Sequence, residues 1–228
     1  MKFFLLARNL NIRDNVLMDG TLSEVMKLAI SLISILNPLG AIPTFLALTS
    51  GYNPKQIKKI STTCSIAVFI TIIVSLVLGA PILGFFGIGL PSFRIGGGIL
   101  IAIMALSMLN GSRSNVKLSD QEMIDESNVE ELGIVPLAIP LLAGPGTIST
   151  CVIHAEHINS TVLWIGAFLV SVIMGILIYY VLAFSRTIGR KMGTVGLNVM
   201  TRIMGLLLMA RAIEFITSGI KIIFPKIG

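Results

Sequence analysis

Charged residues are scarce in this sequence. Asp, Glu, Lys and Arg make up 12% of its 228 residues, about half the quarter that is usual in a soluble protein. Aromatic residues reach only 7%, and there are two cysteines and one tryptophan. So little polar surface excludes an ordinary soluble enzyme, a disordered chain, a collagen and a coiled coil.

Apolar residues take the place of the missing charges. They form 54% of the sequence, 22 glycines come in addition, and the mean hydropathy is +0.93. The apolar runs are continuous rather than alternating, which predicts membrane-spanning helices and not a β-barrel. We therefore expect an all-α, polytopic membrane bundle. Cys64 and Cys151 fall in apolar segments, where we expect packing thiols rather than a disulfide.

The sequence predicts six membrane spans. Five windows of 18 to 34 residues contain no Asp, Glu, Lys or Arg, and a spanning helix needs about 20 residues. A sixth apolar segment, 198–223, carries Arg202, Arg211, Glu214 and Lys221. The five uncharged windows are 28–54, 60–93, 95–112, 132–155 and 157–185.

A hydrophilic segment divides these spans into two sets of three. Residues 111–131 hold eight of the 28 charged side chains. We expect this segment to be a solvated cytoplasmic linker between a first repeat, 21–110, and a second repeat, 132–228. Residues 1–20 are expected to form a tail.

The two halves of the sequence resemble each other. Pro38 in ILNPLGAI (35–42) matches Pro145 in LLAGPGTI (141–148) at an offset of 107 residues. RIGGGILIA (94–102) matches RIMGLLLMA (202–210) at an offset of 108. Because three spans leave the chain on the opposite side of the bilayer, the second copy must insert upside down. The sequence thus predicts an inverted repeat, an arrangement common in secondary transporters.

The positions of lysine and arginine predict the orientation of the bundle. The loops between spans 1 and 2, 3 and 4, and 5 and 6 carry most of those near the membrane, so we expect this side to be cytoplasmic and both termini to lie outside. The net charge of +6 is then explained by loops, and we expect no nucleic acid partner. The loop residues are Lys55, Lys58, Lys59, Arg113, Lys117, Arg186, Arg190 and Lys191.

Spans 1 and 4 contain unusual numbers of proline and glycine residues. Proline removes a backbone donor and clashes with the carbonyl group one turn earlier, and glycine permits backbone angles outside the helical region. We expect both helices to be discontinuous near mid-membrane. The interruptions should face protein or a wet cavity, since lipid cannot satisfy free backbone groups. Structural kinks that only help packing are the alternative.

Discontinuous helices offer binding chemistry. Free N–H groups at the positive end of a half-helix suit a carboxylate, and freed carbonyl groups suit an ammonium group or a cation. Two interruptions at matching places would meet near the midplane. The candidate substrate-binding residues are Asn37, Pro38, Gly40, Pro43, Thr44, Gly144, Pro145, Gly146, Thr147 and Ser149.

At these residues the chain resembles the MarC family of six-span bacterial inner-membrane proteins, which includes small neutral amino-acid transporters of the SnatA type. The resemblance covers about residues 22–226. The motifs that carry it are NPLGAIP (37–43), PSFRIGGGIL (91–100), VPLAIPLLAGPGTIS (135–149) and NVMTRIMGLLLMA (198–210).

The resemblance implies six helices in two inverted repeats and location in the inner membrane. It also implies small neutral amino acids such as glycine and alanine as substrates. We expect the site to be exposed to each side in turn by rocking of the two halves. The implied substrate-binding positions are Asn37, Pro38, Gly40, Gly144, Pro145 and Gly146. Arg211 departs from the family pattern, which favours a small or apolar residue there.

Four charged residues in or beside the spans have two interpretations. Arg94 and Arg202 occupy matching positions in the repeat, and they serve either as a gate for a substrate carboxylate or as interfacial anchors. Arg211 and Glu214 are three residues apart, so they can pair on one helix face. Ionisable residues inside a membrane indicate function by default, although this pair can simply neutralise itself.

Enzymatic chemistry is not expected. His154 and His157 have a spacing that metal ligands use, but a closed site needs more ligands, and an interfacial loop explains them. Ser149 with His154 lacks an orienting acid and a nucleophile-elbow motif, and no ATP-binding loop is encoded. We expect no cofactor or metal, apart from a coupling ion, H⁺ or Na⁺, if transport is driven.

Two other functions remain open from the sequence. A scaffold or regulatory membrane subunit would tolerate restoration of regular helices at spans 1 and 4. A passive channel for small solutes would show rates that do not saturate.

Overall fold

The computed structural model describes residues 20–110 and 132–225, and all regular structure within them is helical. The predicted linker 111–131 lies outside the described residues, as does the predicted tail apart from Gly20. In chain order the helices are α1 (20–36), α2 (Pro38–Leu48), α3 (Pro54–Phe85), α4 (Leu90–Leu109), α5 (Gly133–Leu142), α6 (Pro145–Ala155), α7 (Thr161–Ala183) and α8 (Ser185–Ile223).

Five helical segments in the described part of the chain are long and apolar enough to cross a membrane. They are Gly20–Leu48, Pro54–Phe85, Leu90–Leu109, Thr161–Ala183 and Ser185–Ile223. The all-helical, multi-pass membrane fold expected from the sequence is thereby confirmed. The expected fourth span is not among the five, because α5 and α6 have 10 and 11 residues, about half the length that a span needs.

Helix α5 is irregular and contains residues that leave helical geometry. Val135 and Ile139 adopt extended backbone angles, with φ of −127° and −124°, and each of them directly precedes a proline. The proline ring clashes with the preceding residue and pushes it out of the helical region. The amide of Ala143 then reaches back five residues to the carbonyl of Ala138, at 2.7 Å. Two prolines four residues apart therefore account for the irregular backbone of α5.

A larger and a smaller core cluster hold the helices together. The larger cluster joins α1, α2, α3, α5, α6 and α7, with Phe45, Ile60 and Ile178 among its buried side chains. The smaller cluster consists of Ile35, Ile101, Ala105, Leu208 and Ala212. Many large apolar side chains of α3, α4, α7 and α8 stay exposed, as expected for surfaces in contact with lipid chains.

Small residues bring α4 and α8 into close contact. A Cβ on Gly98 would lie 2.9 Å from the carbonyl oxygen of Ala212, and one on Gly219 would lie 2.8 Å from that of Pro91. The start of α4 thus opposes the end of α8, and the two helices are antiparallel. Glycine at these points lets the two backbones approach, which is the usual basis of helix association in membranes.

Two glycines mark the entries to α4 and to the long part of α8. Gly87 precedes α4 with φ of 66°, and Gly193 interrupts α8 with φ of 65°. Residues with a side chain rarely adopt these angles. The bend in α8 therefore lies at Gly193, and Arg211 sits in a regular part of that helix.

Candidate functional site

The chain leaves helical geometry at Asn37, between α1 and α2. Asn37 has φ of 45° and ψ of 60°, in the left-handed region, which Asn tolerates better than most residues because its side chain can bond locally. Its Oδ1 accepts a hydrogen bond from the amide of Gly40 at 3.2 Å and so caps α2. This amide is consequently directed to Asn37 instead of the carbonyl group of Leu36.

A carbonyl group is also freed one turn before Asn37. In a continuous helix the carbonyl of Ser34 would accept from residue 38. Residue 38 is proline, which has no N–H to donate. The interruption in span 1 therefore removes the usual helical donor of the carbonyl oxygens of Ser34 and Leu36.

The second interruption lies at Gly144, between α5 and α6. No side chain caps α6, and its first residue is Pro145. The amide of Ile148 donates to the carbonyl of Gly144 at 3.1 Å, while the amides of Gly146 and Thr147 belong to the first turn, where a helix has no internal acceptors. The Thr147 hydroxyl donates to the carbonyl of Leu142 at 2.9 Å, which fixes α6 to α5.

Both interruptions open into one concavity, which we call the central concavity. It is partly open to the surface, and none of its lining residues is charged. The N-terminal ends of α2 and α6, where the helix dipole is positive, both border the concavity. Its lining residues are Ile35, Leu36, Asn37, Gly40, Ala41, Ile101, Met104, Met108, Leu142, Gly144, Pro145, Gly146, Thr147 and Leu208.

Six of the ten substrate-binding residues expected from the sequence line the central concavity. They are Asn37, Gly40, Gly144, Pro145, Gly146 and Thr147. Pro38, Pro43, Thr44 and Ser149 lie nearby in α2 and α6 but are not lining residues. Ser149 is fully buried, and a Cβ on Gly97 would lie 3.0 Å from its hydroxyl oxygen, so it packs against α4.

Sequence reasoning missed the apolar wall of the concavity. Ile101, Met104 and Met108 come from α4, and Leu208 comes from α8. The three α4 residues follow the spacing i, i+3, i+7, which places them on one helix face. Ordinary apolar residues in an apolar helix carry no individual signal, so only that periodicity could have pointed to them.

Arg211 joins α8 to α1 beside the first interruption. Its Nε donates to the hydroxyl of Ser34 at 3.1 Å, and its Nη1 donates to Oε2 of Glu214 at 2.8 Å. The Arg211 side chain is 33% exposed and that of Glu214 is 64% exposed. The arginine is thus held by one neighbour on its own helix and by one on span 1.

Arg94 and Arg202 do not line the central concavity. Arg94 lies half-buried in α4, with an Nε atom that has no hydrogen-bond partner among the described residues, and Arg202 lies exposed on α8. His154 lies in the last turn of α6 and His157 just after it, and His154 Nε2 is 3.3 Å from the Ser31 hydroxyl. Within the described ranges, no three His, Cys, Asp or Glu residues form a group suited to a metal ion.

Arg186 ties the start of α8 to the loop after α2. Its Nη2 donates to the carbonyl oxygens of Thr49 at 3.2 Å and Tyr52 at 2.6 Å. Thr49 is the C-cap residue of α2, and carbonyl groups at the end of a helix lack helical partners. A cation is favourable at this negative end of a half-helix.

The fold and the concavity together define a helical, multi-pass integral membrane protein with an uncharged cleft at two helix interruptions. The family model described as MarC family integral membrane protein matches residues 22–224. The chain belongs to this family, and the resemblance drawn from its four motifs is confirmed.

Relatives in bacteria and archaea are similar along nearly their whole length. The UPF0056 membrane protein YhcE of Escherichia coli is 40% identical over 87% of this chain and 93% of its own. UPF0056 membrane proteins of Pyrococcus abyssi and Methanocaldococcus jannaschii are 36% and 37% identical, over 87% and 84% of this chain and 96% and 93% of their own. No solved structure matches the chain.

Proposed function

We propose that the protein is a secondary transporter of small neutral amino acids, with the central concavity as its binding site. The observation that carries the proposal is the meeting of two helix interruptions in one uncharged cleft. Interrupted helices that meet at mid-membrane are a recurring way for transporters to hold a polar solute. The amino-acid class follows from the groups available in the cleft.

Backbone groups of opposite character suit the two ends of a zwitterion. The first-turn amides of Gly146 and Thr147, at the positive end of α6, would bind the carboxylate. The carbonyl oxygen of Leu36 and the side chain of Asn37 would accept from the ammonium group. Since the lining residues carry no charge, a solute with a net charge would lose its hydration without gaining a counter-ion.

Alternating access would come from rocking of two inverted repeats of three spans each, with α5 and α6 together forming span 4. Gly87 and Gly193 support the repeat: both have positive φ, and they lie 106 residues apart, close to the offset of the sequence motifs. In this repeat α2 corresponds to α6, and α4 corresponds to α8. The contact of α2 with α8 therefore has a counterpart in the contact of α6 with α4, and both contacts are present.

The proposed topology puts both termini outside and the loops between spans 1 and 2, 3 and 4, and 5 and 6 in the cytoplasm of a bacterial cell, within its inner membrane. Lys55, Lys58 and Lys59 at the start of α3, with Arg190 and Lys191 in α8, support this orientation. Transport would need no catalytic residue, and a proton or sodium gradient would supply the energy if transport is driven.

Uptake of radiolabelled glycine and alanine into proteoliposomes tests the proposal. The inhibitory variant is Gly40→Val, since a Cβ on Gly40 would lie 2.7 Å from Cγ of Asn37 and a larger side chain would fill the cleft. Gly96→Val is the matched control, because a Cβ on Gly96 would meet nothing within 4 Å. Saturable uptake should be lost in Gly40→Val and kept in Gly96→Val. Equal uptake by all three proteins would contradict the assignment of the site.

A further inference from the structure

We propose that Met104 sets the upper size limit of the transported side chain. The inference rests on the proposed function and adds a specificity-determining residue to it. Its starting point is the division of the central concavity into a polar and an apolar side.

The polar groups of the concavity lie on spans 1 and 4, at Asn37 and Gly40 and along Gly144–Thr147. The part of the lining that comes from α4 and α8 is entirely apolar. A zwitterion held by its carboxylate and ammonium groups at the interruptions must turn its side chain toward that wall. The wall therefore decides which side chains fit.

Two of the α4 wall residues are held in place by close packing. Ile101 is only 5% exposed and belongs to the smaller core cluster, and its Cδ1 would lie 2.5 Å from a Cβ on Gly146. Met108 packs against the same cluster, and its Cβ would lie 3.0 Å from a Cβ on Gly205 of α8. Both are fixed by neighbours on other helices.

Met104 lies between these two on the same face of α4. It is half-buried, lines the concavity, and belongs to neither core cluster described above. A methionine side chain has three rotatable bonds and can occupy or leave space that a branched side chain would fill permanently. Met104 is thus the α4 wall residue whose volume can be changed without removing a side chain from either core cluster.

The test is competition with uptake of radiolabelled alanine in proteoliposomes by unlabelled glycine, alanine, valine and leucine. Met104→Ala should improve inhibition by valine relative to alanine by about 10-fold or more, since each methylene group in an apolar pocket changes selectivity by 10 to 200-fold. Met104→Phe should weaken inhibition by alanine more than inhibition by glycine. Met209→Ala is the matched control, because Met209 packs on the smaller core cluster without lining the concavity, and its ratios should stay those of the wild type.

The outcomes separate this inference from the function on which it rests. No uptake of alanine by the wild type under any gradient would overturn both. Wild-type uptake with unchanged valine-to-alanine ratios in Met104→Ala, or with the same shift in Met209→Ala, would overturn the role of Met104 alone. If Met104→Ala does not yield monodisperse protein, Met104→Phe provides the test. Inhibition by glycine relative to alanine that equals the wild-type ratio would then overturn the inference.

Discussion

Arg211 Nε donates a hydrogen bond to the hydroxyl of Ser34 across 177 residues of sequence, at 3.1 Å. The bond fastens α8 to α1 three residues before the interruption at Asn37. Because it joins elements of the two proposed repeats, any motion that separates α8 from α1 must break it.

A double-mutant cycle measures this bond. Ser34→Ala and Arg211→Ala should each destabilise the protein, and the coupling between them should be about 1.5–3 kcal/mol, the usual net value of a hydrogen bond to a charged group. Thermal unfolding in detergent gives the free energies. The control pair is Ser34→Ala with Arg202→Ala, since Arg202 lies exposed on the same helix; equal coupling in both pairs would contradict a specific bond.

Substitutions of Asn37 separate its cap from its backbone conformation. Asn37→Gly keeps the left-handed angles accessible and replaces Asn by a weaker N-cap residue. This change should lower the free energy of unfolding by a few tenths of a kcal/mol. Asn37→Ala loses the cap, at about 1 kcal/mol, and also forces a Cβ into the left-handed region, at about 1–2 kcal/mol more. Unfolding free energies should therefore fall in the order wild type, Gly, Ala. An alanine variant as stable as the glycine variant would show that Asn37 is not left-handed in the membrane.

Gly146→Ala should close the central concavity by contact with one side chain. The new methyl group would lie 2.5 Å from Cδ1 and 2.9 Å from Cγ1 of Ile101, and overpacking of this kind costs about 1–3 kcal/mol. Alanine uptake should fall sharply. The double variant Gly146→Ala with Ile101→Val should recover part of the loss in both uptake and stability; no recovery would mean that the methyl group acts elsewhere.

Arg186→Ala should loosen the contact between the loop after α2 and the start of α8. It removes donations to two carbonyl oxygens, and hydrogen bonds to a charged group are worth about 1.5–3 kcal/mol. The matched control is Arg190→Ala, because Arg190 is exposed one turn further along α8. Limited proteolysis of the loop at 49–53 should accelerate in Arg186→Ala only. Equal rates in the two variants would contradict a stabilising role for the hydrogen bonds from Arg186.

The membrane fold and the rough position of the site could be predicted from sequence because proline and glycine act locally. Pro38 and Pro145 follow the residues that leave helical geometry, and the prolines after Val135 and Ile139 dictate the backbone of those residues whatever surrounds them. The motifs around them also identified the family. These signals depend on covalent geometry, which a sequence states directly.

The apolar wall and the inter-helix bonds could not be predicted in this way. Met104 differs in no local respect from methionines that face lipid or core, and its position depends on how α4 meets α6 and α8. Ser34 and Arg186 likewise gain their roles from partners more than 130 residues away. Arg211 stood out as an unusual residue, and its partner on its own helix followed from spacing, but its partner on span 1 did not.

The most direct test of the account is counterflow in proteoliposomes. Vesicles loaded with unlabelled alanine are diluted into a trace of labelled alanine, with no ion gradient. A carrier that exposes the central concavity to each side in turn should accumulate label transiently, faster than empty vesicles do, and Gly40→Val should abolish the effect while Gly96→Val preserves it. Label that enters at the same rate with and without internal alanine would contradict alternating access and favour a channel, and no entry at all would contradict transport of this class of solute.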